Sequence, residues 1–215
     1  SFQMCSLKEC KPFDDGIPTS CEASKNYLTA RARKQTPPWS KTNELGAKYL
    51  EHESAAVRYQ AVGLFSAGTR SGEDLADQTR LVAAAKKEKV PGVLAKMLRA
   101  LGPMHGRNDV IKGLLIENAD HGEACVRMQA LWPFISKEGK DVPGTFEKVV
   151  DKLEKDPSKE VRYYLCSGLY GSENEKAIPL LGKYLTAKDT PDNLCSGCLS
   201  GAVSAWVSAA PPRNP

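Results

Sequence analysis

Apolar positions recur along this chain at helical spacing, and the same pattern returns five times. Aligned on Val161, five segments fall into register. They begin Val57-Arg58-Tyr59-Gln60, Val93-Leu94-Ala95-Lys96, Val126-Arg127-Met128-Gln129, Val161-Arg162-Tyr163-Tyr164 and Leu194-Cys195-Ser196-Gly197. Their first residues, 57, 93, 126, 161 and 194, are separated by 36, 33, 35 and 33 positions. Four and five residues after each anchor stand Ala61/Val62, Met97/Leu98, Ala130/Leu131, Leu165/Cys166 and Cys198/Leu199. Eight residues after stand Phe65, Leu101, Phe134, Leu169 and Ala202. Offsets of zero, four, five and eight form one stripe on an α-helix. Five residues before the anchors come His52, Glu88, His121, Asp156 and Asp189, residues that suit a helix start. In the fourth segment Asp156 is expected to cap, Pro157 to occupy the first turn, and Glu160 to favour the positive end of the helix.

A second amphipathic stretch precedes each anchored one, at about 42–51, 74–87, 108–118, 145–155 and 175–187. Phe146, Val149, Val150 and Leu153 show the spacing well. Glycine and proline punctuate the joins, as at Gly102-Pro103 and Gly171. No stretch from residue 41 onward alternates apolar and polar long enough to predict a strand. The expected fold is therefore all-α. A two-helix unit of this size cannot bury its apolar face alone, so neighbouring units are expected to stack into a continuous core. Residues 1–21 read as irregular, with a helix from about Cys21 to Lys34 after them. Thr36-Pro37-Pro38-Trp39 then makes a stiff break. The expected organisation is an N-terminal Cys-rich extension over 1–40, a repeat domain over 41–209, and a flexible tail over 210–215.

Asp156-Pro157 followed by Val161-Arg162 resembles the HEAT-repeat family, and the likeness covers about residues 41–209. It implies a right-handed α–α superhelix, a HEAT-like solenoid of about five helical pairs like that of bacterial HEAT-repeat domain proteins. The first repeat departs from the family by lacking the Asp-Pro. The second lacks the arginine, and the fifth has Leu194-Cys195 in place of Val-Arg. The resemblance implies that Arg58, Arg127 and Arg162, with Asp156, act structurally between repeats by bonding loop carboxylates or carbonyls. It also implies that the second helices line a concave surface.

Composition narrows this picture little. The chain has 215 residues, 41% of them apolar and 26% charged, as in ordinary soluble proteins. It contains no apolar run long enough to cross a bilayer. A net charge of +4 does not by itself argue for nucleic acid. The seven cysteines matter more. Cys5, Cys10 and Cys21 sit in a polar, turn-rich stretch with little core to bury them, which points to disulfides and an oxidising compartment. Cys166 and Cys198 hold nearly equivalent positions in neighbouring repeats, where a bridge between them is one reading. The other reading treats Cys125, Cys166 and Cys198 as small buried apolar residues. The chain opens on Ser1 without an initiator Met, read as a removed leader or a trimmed start. The expected location is periplasmic or secreted, with a lipid anchor as a variant and the cytoplasm as the alternative.

Catalytic chemistry finds little support. His52-Glu53 is reminiscent of the di-iron pairs of the HEAT-like deoxyhypusine hydroxylases, but only His121 with Glu123 echoes it, at altered spacing. With three histidines in the chain, no metal site is expected. Cys195 and Cys198 form a Cys-x-x-Cys without the second pair a zinc site needs. No Gly-rich phosphate loop or nucleophile elbow occurs. No catalytic residue and no cofactor are expected. The side of the anchored helices opposite the stripe holds Tyr59, Met128, Trp132, Tyr163 and Tyr164, amphipathic residues of the kind that anchor protein interfaces. They read either as a groove for a protein or peptide, or as rings covered by the N-terminal extension or by superhelical twist. The expected function is a non-catalytic protein–protein interaction scaffold. The alternative is a HEAT-like nucleic-acid binding protein or DNA glycosylase. That alternative would use Lys86, Lys87, Lys89, Lys96, Arg99, Arg107 and Lys112, with Trp132 stacking on a base.

Overall fold

The computed structural model describes residues 44, 46–68, 75–135, 145–158, 160–162, 164, 168–169, 176–177, 179–180 and 182, and at 64–68, 75 and 145 the backbone alone. Among these residues every regular element is helical and none is a strand. The α-helices are α1 (Ala55–Gly68), α2 (Leu75–Lys87), α3 (Pro91–Leu101), α4 (Asp109–Glu117), α5 (Ala124–Ile135) and α6 (Thr145–Lys155). A 3₁₀ turn, Gly102–Met104, follows α3. Residues 46–49, 160–162 and 168–169 are helical as well. No helix among the described residues is long and apolar enough to cross a membrane.

Two compact units make up the chain, Ser1–Ala130 and Leu131–Pro215. In the first, α1 packs on α3 and α2 packs on α4, so like helices of successive repeats lie together. The two members of a repeat also touch, α2 against α3. The stripe read from the sequence is buried in both units. Val57, Ala61, Val62, Val93, Met97, Leu98, Leu101, Val126, Ala130, Leu131, Phe134, Val161 and Leu169 are each no more than 1% exposed. Tyr49 and Leu50, and in α6 Phe146, Val149, Val150 and Leu153, are buried too.

The helix starts repeat one local device. Val57 and Val126 donate their N–H groups to the carbonyls of Ser54 and Glu123, three residues back, and Val93 does the same to Val90. Five residues before each of the four described anchors, a side chain accepts the N–H two positions further on. His52 Nδ1 takes Ser54 N–H at 3.0 Å, and His121 Nδ1 takes Glu123 N–H at 3.0 Å. Glu88 Oε1 takes Val90 N–H at 2.8 Å, and Asp156 Oδ1 takes Ser158 N–H at 2.8 Å. Such acceptors satisfy donors that the first turn of a helix leaves orphaned.

The start of the fourth anchored helix differs from expectation in register. Ser158 caps it, its Oγ accepting from Val161 N–H and donating to Glu160. Asp156 stands two residues before this cap and holds the chain that leads into it, and Pro157 lies ahead of the helix and not in its first turn. A serine hydroxyl reaches the third N–H of a helix as readily as an aspartate does. α4 shows the same chemistry in the first-helix row. Its N-cap Asn108 accepts from Val110 and Ile111, and Asn118 closes its far end through Leu114 O.

Expectations for residues 1–43 and 183–215 lie outside the described residues. They include the extension, its boundary at 40, the fifth anchored helix and the tail.

Candidate functional site

The arginine after the anchors Val57, Val126 and Val161 is fixed to the loop before its own helix. Arg58 Nη1 donates to the carbonyls of His52 at 2.7 Å and Glu53 at 2.8 Å. Arg127 Nη1 donates to the carbonyls of His121 and Gly122, each at 2.8 Å. Arg162 Nη1 donates to Asp156 O. The side chain thus folds back over six residues and ties the helix to its leading turn.

Arg58 does a second job. Its Nε and Nη2 grip the Glu88 carboxylate of the next repeat at 2.7 and 2.9 Å, a two-pronged bond. Glu88 is 2% exposed at its side chain and Arg58 16%. Burial pushes the Glu88 carboxyl up. The Arg58 bond and charge, with the N–H groups of Val90 and Lys89, outweigh it and hold the group below its usual range.

The aromatic residues expected to face a partner are mostly half-buried, and each described pair forms within one unit. In the first unit, the Lys96 ammonium lies 3.7 Å from the centroid of the Tyr59 ring, a close cation–π contact. Lys96 also passes beside Gly63, where a Cβ would stand in ordinary contact with its Nζ at 3.4 Å. In the second unit, Trp132 and Tyr164 meet edge to face with centroids 5.9 Å apart. Gly168 lets its helix approach closely. A Cβ on it would come within 2.8 Å of Ile135 Cγ1, a residue that is itself buried.

Met128 corrects the expectation that it faces solvent, for it is buried at 4%. α5 is apolar nearly all round, with Pro133, Phe134 and Ile135 buried beside Met128. A single opposite face assumes a helix covered on one side, whereas this one is enclosed on more than one. Tyr163 lies outside the described residues.

One feature of these helices escapes a residue-by-residue search for chemistry. The second helices α1, α3 and α5 contain no Asp or Glu at all. The first helices do: Asp77 in α2, Asp109 and Glu117 in α4, and Glu147, Asp151 and Glu154 in α6. Lys96 and Arg99 on α3 are thus cations on a carboxylate-free row. The signal that finds them is a missing residue type, not a motif. Of the basic region proposed for nucleic acid, Lys86, Lys87, Lys89, Arg99 and Arg107 are exposed and Lys96 and Lys112 half-buried. Lys87 pairs with Glu51 at 3.1 Å.

Cys125, which the sequence leaves open between a small apolar residue and a bonded one, is disulfide-bonded. The other six cysteines, among them the candidates Cys5, Cys10, Cys21, Cys166 and Cys198, lie outside the described residues. Among the described residues no three His, Cys, Asp or Glu side chains gather to hold a metal ion. In the second unit a shallow groove of about 320 Å³ runs along α6, floored by Phe146, Val150, Pro179 and Leu180. Its edge carboxylates Glu147 and Asp151 are bonded to Lys176 and Lys155. No family model matches this chain, and no curated protein matches it.

Proposed function

We propose that this chain is a non-catalytic interaction scaffold, a short HEAT-like solenoid of about five helical pairs whose second-helix face binds a protein or peptide outside the cytoplasm. The observation that carries this reading is the second-helix row. Its helices α1, α3 and α5 carry no carboxylate, and the row presents Tyr59, Lys96 and Arg99 in one unit and Trp132 with Tyr164 in the other. Tyrosine, tryptophan and arginine are the side chains from which interface hot spots are most often built. The packing of α1 on α3 and of α2 on α4 supports the solenoid, in which each repeat covers its neighbour. The disulfide at Cys125 supports an oxidising compartment.

Photo-crosslinking tests the face. A benzophenone side chain is placed at Arg99 on a second helix, and separately at Ile116, which is 52% exposed on a first helix. In the cells that make the protein, Arg99 should give a discrete protein adduct that Ile116 does not. Equal adducts at both positions, or none at either, sink the reading. Alkylation of the native protein before reduction tests the compartment, and seven free thiols would place it in a reducing one.

A further inference from the structure

The first helices α2 and α4 each turn one stripe to solvent. On α2 the stripe centres on Ala83, with Arg80, Lys86 and Lys87 three and four residues away, all exposed. On α4 it centres on Gly113, with Asp109, Val110, Ile116 and Glu117 three and four residues away, all exposed. Val110, at 57%, and Ile116, at 52%, are the large apolar side chains that the described residues leave exposed. The exposed charges divide by helix. Those of α2 are cations, while those of α4 are carboxylates, with Lys112 half-buried beside them. Arg80 lies 3.7 Å from Asp77, and Lys87 lies 3.1 Å from Glu51. Among the described residues Lys86, Asp109 and Glu117 form no ion pair. The chain itself gives no reason for Gly113. Glycine in mid-helix costs roughly 0.5–1 kcal/mol against alanine, yet a Cβ there would meet nothing within 4 Å. A bare backbone on an outer face admits a close neighbour.

We propose that the α2–α4 face binds a second copy of this chain in a two-fold symmetric dimer. Short connections reverse α2 into α3 and α3 into α4, so α2 and α4 run the same way. Their starts are tied by Asn108 Nδ2, which donates to Gln78 Oε1 at 3.3 Å across 30 positions. On that register Ala83 stands beside Gly113, and Lys86 and Lys87 beside Ile116 and Glu117. A two-fold axis along the helices lays α2 of one copy on α4 of the other at the same level. Ala83 then meets Gly113, and Lys86 meets Glu117, each contact made twice by symmetry. Val110 and Ile116 lie along the stems of Arg80 and Lys86. Two helices about 20 Å long and about 10 Å apart bury roughly 400 Å² of each copy, an area of the transient class. This goes beyond the scaffold reading, since it uses the first helices and leaves the second-helix row to the partner.

The test is sedimentation equilibrium of the full chain from about 10 μM to about 1 mM, which should show monomer and dimer in exchange. Lys86→Glu and Glu117→Lys each set like charges together at both symmetric contacts. Ile116→Lys sets a cation against Lys86 of the second copy. Each should raise the Kd at least about fivefold. An equal mixture of the Lys86→Glu chain and the Glu117→Lys chain restores both opposite-charge contacts. It should dimerise to within about twofold of the parent. Arg99→Glu, on the second-helix row, should leave the Kd unchanged. Thermal melts confirm that each variant is folded. A monomer throughout the range would overturn the proposal, and so would a dimer that ignores these changes or a mixture that fails to recover. A doubled band on a non-reducing denaturing gel would mean a disulfide between chains and would also overturn it. A benzophenone at Ile116 should give a product of two copies, whereas the partner adduct of the scaffold is expected at Arg99, so either can fail without the other. An Ile116 adduct with a different protein and none with a second copy would overturn the dimer.

Discussion

Two helix starts in the first unit, at Glu88 and at His121, do the same local work with different chemistry. Each accepts a backbone N–H two residues ahead, and each leads a helix whose anchor valine is fully buried. The imidazole stops there. The carboxylate also receives the guanidinium of Arg58 from the preceding repeat, through two bonds. The second repeat, which has Leu94 where an arginine would stand, is joined by charge to the repeat before it. Turn closure therefore needs only an acceptor, whereas the link between repeats needs an anion.

The largest effect should come from removing the cation. Arg58→Met leaves a covered carboxylate without its partner and two loop carbonyls without theirs, and should cost about 3 kcal/mol in chemical denaturation. Arg127→Met, which removes two bonds to loop carbonyls, should cost less. Equal losses would show that the tie to the leading loop, and not the link between repeats, sets the value.

Next comes Glu88→Gln, which keeps an oxygen for Val90 N–H but no charge, and should cost about 1–2 kcal/mol near neutral pH. The folded carboxyl lies below the ordinary value of 4.5, so its contribution is complete above that value. It is lost as pH falls through the lower folded value. Stability measured from about pH 5 down to about pH 3 should therefore fall more steeply in the parent than in Glu88→Gln. Parallel curves would contradict the pairing.

His121→Leu removes an acceptor without touching a charge link and should cost about 1 kcal/mol. His121→Asn, which offers an oxygen to the same N–H, should recover all but a few tenths. A full loss in the asparagine variant would mean that the ring's packing matters and not its lone pair. Protection of Glu123 N–H in hydrogen exchange separates the two.

The repeat and its core were legible because helical burial has a fixed period. Val93, Met97, Leu98 and Leu101 could be placed in the core by counting, and all four are. Face assignment by the same counting failed at Met128, which is buried on a side that the period alone leaves open. The capping residue of the fourth helix was misplaced by two positions, because Asp156 and Ser158 both carry an oxygen that suits a cap. The acid-free second helices stood in the sequence from the start. They acquire meaning only once α1 and α3 are known to lie side by side.

By itself the sequence determined the helical class of the described residues and the identity of their buried stripe, both of which follow from spacing along one chain. Tertiary structure decided which residues of different repeats meet. It joined Arg58 to Glu88, set Lys96 over Tyr59, and stood Trp132 against Tyr164. Those meetings depend on the offset and rotation of one helix against the next, set by the fit of many side chains at once, and no local period encodes them.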